Sequence, residues 1–566
     1  MIRDDLAGMI ESAAQAAMEA GELPQVVLPE LVIERPAKRE HGDYATNLPM
    51  RLARAARANP VDIAKAIAAR IPLEGGISAA EVAPPGFINF RLSEPWLAQQ
   101  VDAIVDAGAS FGNITLGNGQ KVQVEFVSAN PTGPLTAGNG RGAAIGSVLA
   151  SVLEAAGYDV EREYLVNDAG TQTEIFGRTL VARYQQLLGN DVEIPADGYP
   201  GEYMIDIATR LREEFGDKFA GATTDDPPPE MVLRGVDMIV EGIEQDLLRL
   251  GVKYDVWYRE RWVYDAEHNK QQPANSKQIS TYDAAMGVMR EQGFLVEKEG
   301  ALWFASTELG EDKDNVVIRS TGRPTYFASD IAYHYDKFVV RKFDRVIDVW
   351  GADHQGHVSR MKAAAQALGV DPSRLDILIY QLVSFRRGEE LVRLSKRSGN
   401  IVLMRDVVDE VGADAARFFF LSRSADSQME FDLELAKRQS AENPVYYVQY
   451  AHARIAGILT KAGERIASFD DADVSLLAHP MELALVRKML ELPELVQQMA
   501  RAMEPHHLPH YAGELATAFH AFYTDCRVID EEDVPLSKAR LKLCLAAKIA
   551  LARALTLMGM STPERM

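Results

Sequence analysis

The stretch from 122 to 166 constrains the fold more than any other part of the chain. Val122-Gln-Val-Glu-Phe-Val127 alternates like a strand, and a loop rich in glycine and proline follows it. An alanine-rich helix then runs from about Arg141 to Ala156, Gly157 ends it, and Val160 to Val166 reads as the next strand. Strand, glycine loop, helix and strand make a βαβ unit, which predicts a parallel sheet of the nucleotide-binding kind. Strand-like runs at Val346–Trp350 and Leu375–Leu382 extend that sheet.

The loop itself, Ala129-Asn-Pro-Thr-Gly-Pro-Leu-Thr-Ala-Gly-Asn-Gly140, leaves a strand and ends at a helix N-terminus. Unpaired backbone N–H groups and the helix dipole make such an end an anion site, and glycines let a ligand come close. ATP phosphate is the natural guest, and the loop exceeds an ordinary βα turn of ~2–6 residues. The same stretch matches the dinucleotide fingerprint G-x-G-x-x-A at Gly138, Gly140 and Ala143, with Asp159 and Glu161 following. In a dehydrogenase the first glycine comes directly after the strand; here Pro131 and Pro134 intervene, which disfavours that reading. A second loop lies far away: Leu394-Ser-Lys-Arg-Ser-Gly-Asn400. Alone it is a common surface loop. Paired with the first, its Lys396 ammonium suits a departing pyrophosphate.

At 566 residues the chain exceeds what one core supports, since cores stop growing near ~250–300 residues, and three or four domains are expected. The spans read as 1–112, 113–388 with an insertion at about 185–315, 389–440, and an all-helical 441–566. Leu6, Met9, Ile10, Ala13 and Ala17 repeat at helical spacing, and Asn59-Pro60 caps a helix through Ile63, Ile67 and Ile71. Arg51, Arg54 and Arg57 recur every third residue, which puts them on one face with Leu48, Leu52 and Ala55 turned elsewhere. That face is either solvated or an RNA-contacting stripe. Pro84-Pro85-Gly86 and a strand-like Phe87-Ile-Asn-Phe90 close this region, and Leu541, Leu545, Lys548, Ala552 and Leu555 hold amphipathic spacing near the end.

Bulk properties exclude more than they identify. Hydrophobic content is 47%, charged content 25% and net charge −22, which argues against nonspecific nucleic-acid binding but leaves local basic faces free to grip RNA. Two cysteines, Cys526 and Cys544, cannot make the usual zinc site and fit a reducing cytoplasm. The first fifteen residues lack an apolar h-region, and no apolar run reaches membrane-spanning length. His506, His507 and His510 have no nearby cysteine or acidic pair to complete a metal site; they read as a solvated helix and loop.

The two loops resemble the two signature motifs of class I aminoacyl-tRNA synthetases, and the text around them resembles the arginyl-tRNA synthetases of bacterial type. The likeness rests on Glu125-Phe-Val-Ser-Ala-Asn-Pro-Thr-Gly-Pro-Leu135, Tyr164-Leu-Val-Asn-Asp-Ala-Gly170, Tyr326-Phe-Ala-Ser-Asp-Ile-Ala-Tyr333 and Trp350-Gly-Ala-Asp-His354. Asp414-Ala-Ala-Arg-Phe-Phe-Phe420 and Asn443-Pro-Val-Tyr-Tyr-Val-Gln-Tyr-Ala-His-Ala-Arg454 add to it, so it covers nearly the whole chain. It implies an α/β architecture: a Rossmann-like parallel-sheet catalytic domain with an insertion, an N-terminal α+β tRNA-binding domain and an all-α anticodon-binding domain.

The resemblance also implies the chemistry: arginine and ATP give arginyl-adenylate, arginine passes to the terminal ribose of tRNA, and activation needs bound tRNA. Magnesium arrives with ATP rather than in a protein cage. Glu125 and Asn130 are similar to residues that hold the amino acid, Tyr326 and Asp330 to those that pack on and pair with its side chain, and Glu260 to a further guanidinium-facing carboxylate. Arg259 and Arg261 flank Glu260, where the family carries small residues. Carboxylates and an aromatic ring suit a planar guanidinium and oppose an apolar substrate. The loop residues Pro131, Gly133, Pro134, Leu135 and Ala137, with Gly351, Asp353, His354 and Arg397, are implied to hold ATP. Arg51, Arg54, Arg57, Tyr447 and Arg454 are implied to contact tRNA. The chemical step falls to Thr136, Gly138, Asn139, Ser395 and Lys396.

One departure stands out. The family's first motif reads His-x-Gly-His, and here it is Thr136-Ala137-Gly138-Asn139, so neither residue carries charge. In the second, Arg393 and Leu394 replace Lys and Met while Ser395 and Lys396 remain. The alternative to an active enzyme is therefore a synthetase-like protein that binds tRNA without charging it. A cytoplasmic monomer without DNA or membrane partners is expected.

Overall fold

The computed structural model describes residues 2–267, 279–388, 390–392, 402–463, 466 and 468–566. The N-terminal part packs α1 (Ile2–Glu19), α2 (Leu48–Ala56), α3 (Pro60–Ala68) and α4 (Glu94–Ala107) with a four-stranded antiparallel sheet. Its strands are β1 (Ile33–Glu34), β2 (Tyr44–Thr46), β3 (Ile77–Ala83) and β4 (Phe87–Leu92), in the order β1-β2-β4-β3. Asn59 caps α3 as expected, its side chain accepting from the Val61 N–H. The helix stops short of Ile71 because Pro72 disfavours helical backbone at the residue before it; Ile71 is buried all the same. In α2 the buried residues are Leu48, Pro49, Leu52 and Ala56, while Ala55 stays on the exposed side with the arginines.

The second layer system is a five-stranded parallel sheet ordered β12-β11-β5-β6-β7. Its members are β5 (Lys121–Phe126), β6 (Asp159–Val166), β7 (Val256–Arg259), β11 (Arg345–Gly351) and β12 (Leu375–Tyr380). The crossover α5 (Ala137–Ala155) joins β5 to β6 and begins earlier than its alanines suggest, because Thr136 already caps it. Gly140, Gly142 and Gly146 are packing glycines: a Cβ there would come within 2.8 Å of Phe420, Tyr380 and Phe126. Two of the glycines in the dehydrogenase-like stretch are thus explained by packing.

Helices α6 (Thr171–Leu187), α7 (Tyr203–Phe215) and α8 (Pro229–Arg249) pack together between β6 and β7. The expected insertion at 185–315 is therefore not one block, since β7 inside it forms an edge of the main sheet. At four residues, Val256-Trp-Tyr-Arg259, that strand is too short to show a period. After it come α9 (Thr281–Glu291), the antiparallel trio β8 (Leu295–Lys298), β9 (Ala301–Phe304) and β10 (Asn315–Ile318), and α10 (Tyr326–Tyr335). Helix α11 (Val358–Ala367) then links β11 to β12.

A three-stranded sheet of β13 (Val383–Arg387), β14 (Glu390–Val392) and β15 (Met429–Asp432) follows, with α12 (Met404–Val411), α13 (Ala413–Leu421) and α14 (Leu433–Lys437). The end is all-helical: α15 (Pro444–Gly463), α16 (Pro480–Met489), α17 (Glu491–Ala502), α18 (His507–Asp525) and α19 (Val534–Leu557). Asn443 opens α15, accepting from the Val445 N–H. Arg417 ties this bundle to the sheet: fully buried, it donates to the carbonyls of Met558 (2.5 Å) and Leu250 (3.1 Å) and to Ser147 Oγ (2.8 Å). The bundle also grips the N-terminal part through Arg35–Glu494 (2.8 Å) and Arg487–Asp43 (2.6 Å).

Candidate active site

In an open parallel sheet ligands bind beyond the carboxyl ends of the strands, where the strand order reverses. Here the chain builds outward from β5 to β6 and β7, then crosses back to place β11 on the other side of β5. The switch point is between β5 and β11, and the first loop leaves it. Val127 and Ser128 turn sharply at φ 69° and 38°, which ends the strand one residue earlier than expected. Pro131, Leu135 and Ala137 are buried, Gly133 and Pro134 half-buried, and Asn130 exposed.

The first motif sits at the N-terminus of α5. Asn139 Oδ1 accepts from both the backbone N–H (2.9 Å) and the hydroxyl (2.8 Å) of Thr136. The Thr136 proton is thereby occupied, leaving Asn139 Nδ2 as the side-chain donor able to point outward. Gly138 has no packing reason to be glycine: a Cβ there would meet only Thr136 Oγ1, at 3.7 Å. The open space suits a ligand approaching the backbone. The second motif, with Ser395, Lys396 and Arg397, lies outside the described residues. Its exit does not: Ala137 N–H donates to Val402 O (2.9 Å), Met404 N–H to Leu135 O (3.0 Å), and Thr136 pairs with Leu403. Backbone hydrogen bonds thus join two loops separated by some 260 residues of sequence (from 136 to 403).

A cluster of acidic side chains gathers at the start of α10. Tyr326 and Asp330, four apart on α10, share a face. The Tyr326 ring is half-exposed, and its hydroxyl donates to Asn167 Oδ1 at 3.3 Å. Asp330 is half-buried by area yet desolvated enough that burial, then Glu260 and Glu125, push its carboxyl well above the usual range; Arg360 opposes this. Glu260 follows β7 and is buried, and burial with Asp168 nearby raises it to about 7. Its Oε2 has no hydrogen-bond partner among the described residues. Asp330, then burial and the other two carboxylates, likewise push the Tyr326 phenol up. Burial, Glu260 and Glu125 thus raise Asp330, and all three carboxylates raise the Tyr326 phenol. Such a cluster is costly when empty and is relieved by a planar cation.

Arg259 and Arg261 do not neutralise Glu260. Arg259 pairs with Asp237 (2.7 Å) and faces Asp168 (3.5 Å), while Arg261 faces Asp168 (3.5 Å) and donates its N–H to the same carboxylate (3.1 Å). Asp168 belongs to the Tyr164–Gly170 stretch, whose charged residue sequence reasoning left without a role. It holds both flanking cations, and Glu260 stays open.

Within the sheet runs a row of acids that sequence reasoning missed except for Glu125. Asp348 of β11 is in register with Glu125 of β5, which is in register with Glu163 of β6. All three are buried. Lys337, in the turn after α10, lies 2.6 Å from Glu125 and 2.8 Å from Asp348. His334 Nε2 is 2.9 Å from Asp348, and Arg341 pairs with Glu163. Burial works against Asp348 ionising, but Lys337 and His334 win and hold it at about 2. The available signal was acid in the middle of strands that a two-sided parallel sheet normally keeps apolar.

On the other side of β5, Gly351 ends β11 in ordinary extended backbone, and a Cβ there would displace only the exposed Asp353 carboxylate, 2.7 Å away. Asp353 and His354 are exposed on that turn, 3.5 Å apart. The remaining candidates are remote from this site. Arg51, Arg54 and Arg57 are exposed, but Arg51 donates to the Glu30 carbonyl and Arg57 lies past the helix in left-handed backbone. Tyr447 lies tilted against His520 (5.2 Å) and Arg454 covers the Tyr523 ring (4.5 Å) on the helical bundle. Among the described residues, no group of three or more His, Cys, Asp or Glu is arranged to hold a metal, and no helix is long and apolar enough to cross a membrane.

Three family profiles match the chain. "Arginyl tRNA synthetase N terminal domain" covers residues 2–92, "tRNA synthetases class I (R), catalytic domain" covers 100–196 and 269–455, and "DALR anticodon binding domain" covers 448–566. The chain is 52% identical to the arginine–tRNA ligase of Dehalococcoides mccartyi strain CBDB1, over 99% of this chain and 98% of that one. It is 46% identical to the arginine–tRNA ligase of Heliobacterium modesticaldum, over 100% and 99%. The arginyl-tRNA synthetase of Thermus thermophilus shares its fold, with TM-score 0.75 at 23% identity and both chains fully covered.

Proposed function

The chain belongs to the arginyl-tRNA synthetase family and is an ATP-dependent arginine–tRNA ligase, and from that premise we propose how its residues divide the work. Asp330 and Glu260 take the guanidinium of arginine, the Tyr326 ring lies against it, and Glu125 and Asn130 take the amino-acid end. ATP lies across the switch point. Its phosphates meet the N-terminus of α5 at Pro131, Gly133, Pro134, Leu135, Ala137 and Gly138, and its ribose or base meets Gly351, Asp353 and His354. The α-phosphate faces Asn139, whose Nδ2 donates while Thr136 holds its Oδ1. Ser395, Lys396 and Arg397 meet the leaving pyrophosphate, which carries magnesium in with ATP. Activation yields arginyl-adenylate only with tRNA bound.

The observation that carries this reading is the acidic cluster itself: a buried Glu260 whose Oε2 has no hydrogen-bond partner among the described residues, beside an Asp330 that burial, Glu260 and Glu125 push up, fits a planar cation. Arg51, Arg54, Arg57, Tyr447 and Arg454 contact tRNA. The four spans 1–112, 113–388, 389–440 and 441–566 act as tRNA-binding, catalytic, stem-contact and anticodon-binding parts of a cytoplasmic monomer. A tRNA-binding relic is not favoured, since relatives named as ligases match the full length. The test is a charging assay with all twenty amino acids, together with ATP–pyrophosphate exchange with and without tRNA. Arginine alone should give product, and exchange should require tRNA. Charging of lysine or of a neutral amino acid would overturn the pocket assignment.

A further inference from the structure

Three carboxylates stand side by side at the centre of the parallel sheet: Asp348, Glu125 and Glu163, on adjacent strands about 5 Å apart. Left alone, such a row would take up protons, because like charges in a dry interior disfavour one another. Basic side chains from one segment sit against it. Tyr326, Asp330, His334 and Lys337 follow at intervals of four, four and three, so they form one stripe along α10 and the wide turn that continues it. The outer end of the stripe, Tyr326 and Asp330, belongs to the arginine pocket; the inner end, His334 and Lys337, reaches the acid row. Lys337 is fully buried, with its ammonium 2.6 Å from Glu125 Oε2, 2.8 Å from Asp348 Oδ1 and 4.2 Å from the centre of the Tyr333 ring. Ser128 Oγ donates to the other oxygen of Glu125 at 2.8 Å. Glu125 is thus gripped on both oxygens, with one lone pair of each still able to accept.

Glu125 also marks one end of the pocket. It is the next-to-last residue of β5, which runs straight into the loop toward the phosphate-facing helix end. Glu260 follows β7, two strands over and therefore about 10 Å across the sheet, close to the reach of an extended arginine. An arginine spanning the two, with its carboxylate toward the phosphate, presents its α-ammonium to Glu125. We infer that Lys337 is a positioning residue for this end of the substrate: its ion pair holds and aims the Glu125 carboxylate, so that Glu125 receives the α-ammonium while Asp330 and Glu260 receive the guanidinium. The inference rests on the proposed placement of Glu125 in the amino-acid site.

The experiment uses the full chain with its tRNA and two ligands: arginine, and 5-guanidinopentanoate, which keeps the guanidinium and carboxylate but lacks the α-amino group. Lys337→Met keeps length and removes charge. The KM for arginine should rise about tenfold or more, the effect of losing a charged partner, while the KM for ATP stays within about twofold. Inhibition by the des-amino analogue should also stay within about twofold of the parent, and in a Glu125→Gln background Lys337→Met should add less than about twofold to the arginine KM. Equal weakening of arginine and analogue, or an additive loss in the double variant, would reduce Lys337 to a structural role and overturn the inference. If Glu125→Gln leaves the arginine KM unchanged, the placement of Glu125 fails and the inference fails with it. If Glu125→Gln weakens arginine alone while Lys337→Met does nothing, only the inference falls. Should the methionine variant not fold, Lys337→Gln, which keeps a donor without charge, carries the same comparison.

Discussion

Replacing Glu260 with glutamine separates the cost of the empty pocket from its use. The change keeps shape and removes one charge. In the fold the carboxyl rises from its ordinary 4.5 to about 7, chiefly through burial. A carboxyl with a higher pKa in the fold than in the unfolded chain favours folding at low pH and works against it as pH climbs from 4.5 through 7. By pH 8 the accumulated cost is about 3 kcal/mol. Glutamine escapes that cost, but burying its amide with partners missing takes back ~1–3 kcal/mol at every pH, so the free enzyme should gain ~0–2 kcal/mol at pH 8 and lose ~0–2 kcal/mol at pH 5, where the parent's cost is only about 1 kcal/mol. Binding moves the other way. Removing one partner of a buried ion pair costs ~3–5 kcal/mol, so arginine should bind a hundredfold or more weakly, at ~1.4 kcal/mol per decade. The parent enzyme must also shed the Glu260 proton to bind arginine, so its affinity should rise roughly tenfold per pH unit below 7 and level off above it. The variant should lose that part of the slope, with what remains coming from Asp330. Thermal unfolding at pH 5 and 8, and arginine titration calorimetry from pH 6 to 8, measure both effects. An unchanged arginine affinity, or a clear loss of stability at pH 8 with the pH slope intact, would refute the reasoning.

Three other outcomes are expected. Asn139→Ala removes the outward donor at the α5 terminus and should slow adenylate formation by ~10²–10³ while arginine binding barely moves; single-turnover pyrophosphate release measures it. Replacing Arg51, Arg54 and Arg57 together should flatten the salt dependence of tRNA binding by about two ion-release units rather than three, because Arg51 already serves the Glu30 carbonyl. An unchanged slope returns all three to the solvated face. Arg417→Ala leaves the carbonyls of Met558 and Leu250 unmatched where the bundle meets the sheet and should cost ~3 kcal/mol or more, read as a lower unfolding temperature and a loosened C-terminal bundle in hydrogen exchange.

Local periodicity and turn chemistry were enough to locate β5, α5, β6, β11 and β12 within a few residues, because each is a long run with a hydrophobic period and a glycine or proline boundary. The resemblance to class I synthetases paired the first loop with the second and implied a guanidinium partner for Asp330 and Tyr326, which no periodicity singles out. Only the tertiary structure decided what those groups experience. Four-residue β7 carries no period of its own and becomes a strand by pairing with β6, which is what brings Glu260 to the pocket. Arg259 and Arg261 look in sequence like neutralisers of Glu260, yet Asp168 and Asp237 draw them off. The acid row of Asp348, Glu125 and Glu163 exists only through strand register, and its cation Lys337 comes from more than two hundred residues after Glu125. Periodicity is a local property that each segment carries by itself, whereas a charge is set by whatever the fold brings within a few ångströms of it, and that is written nowhere in the segment.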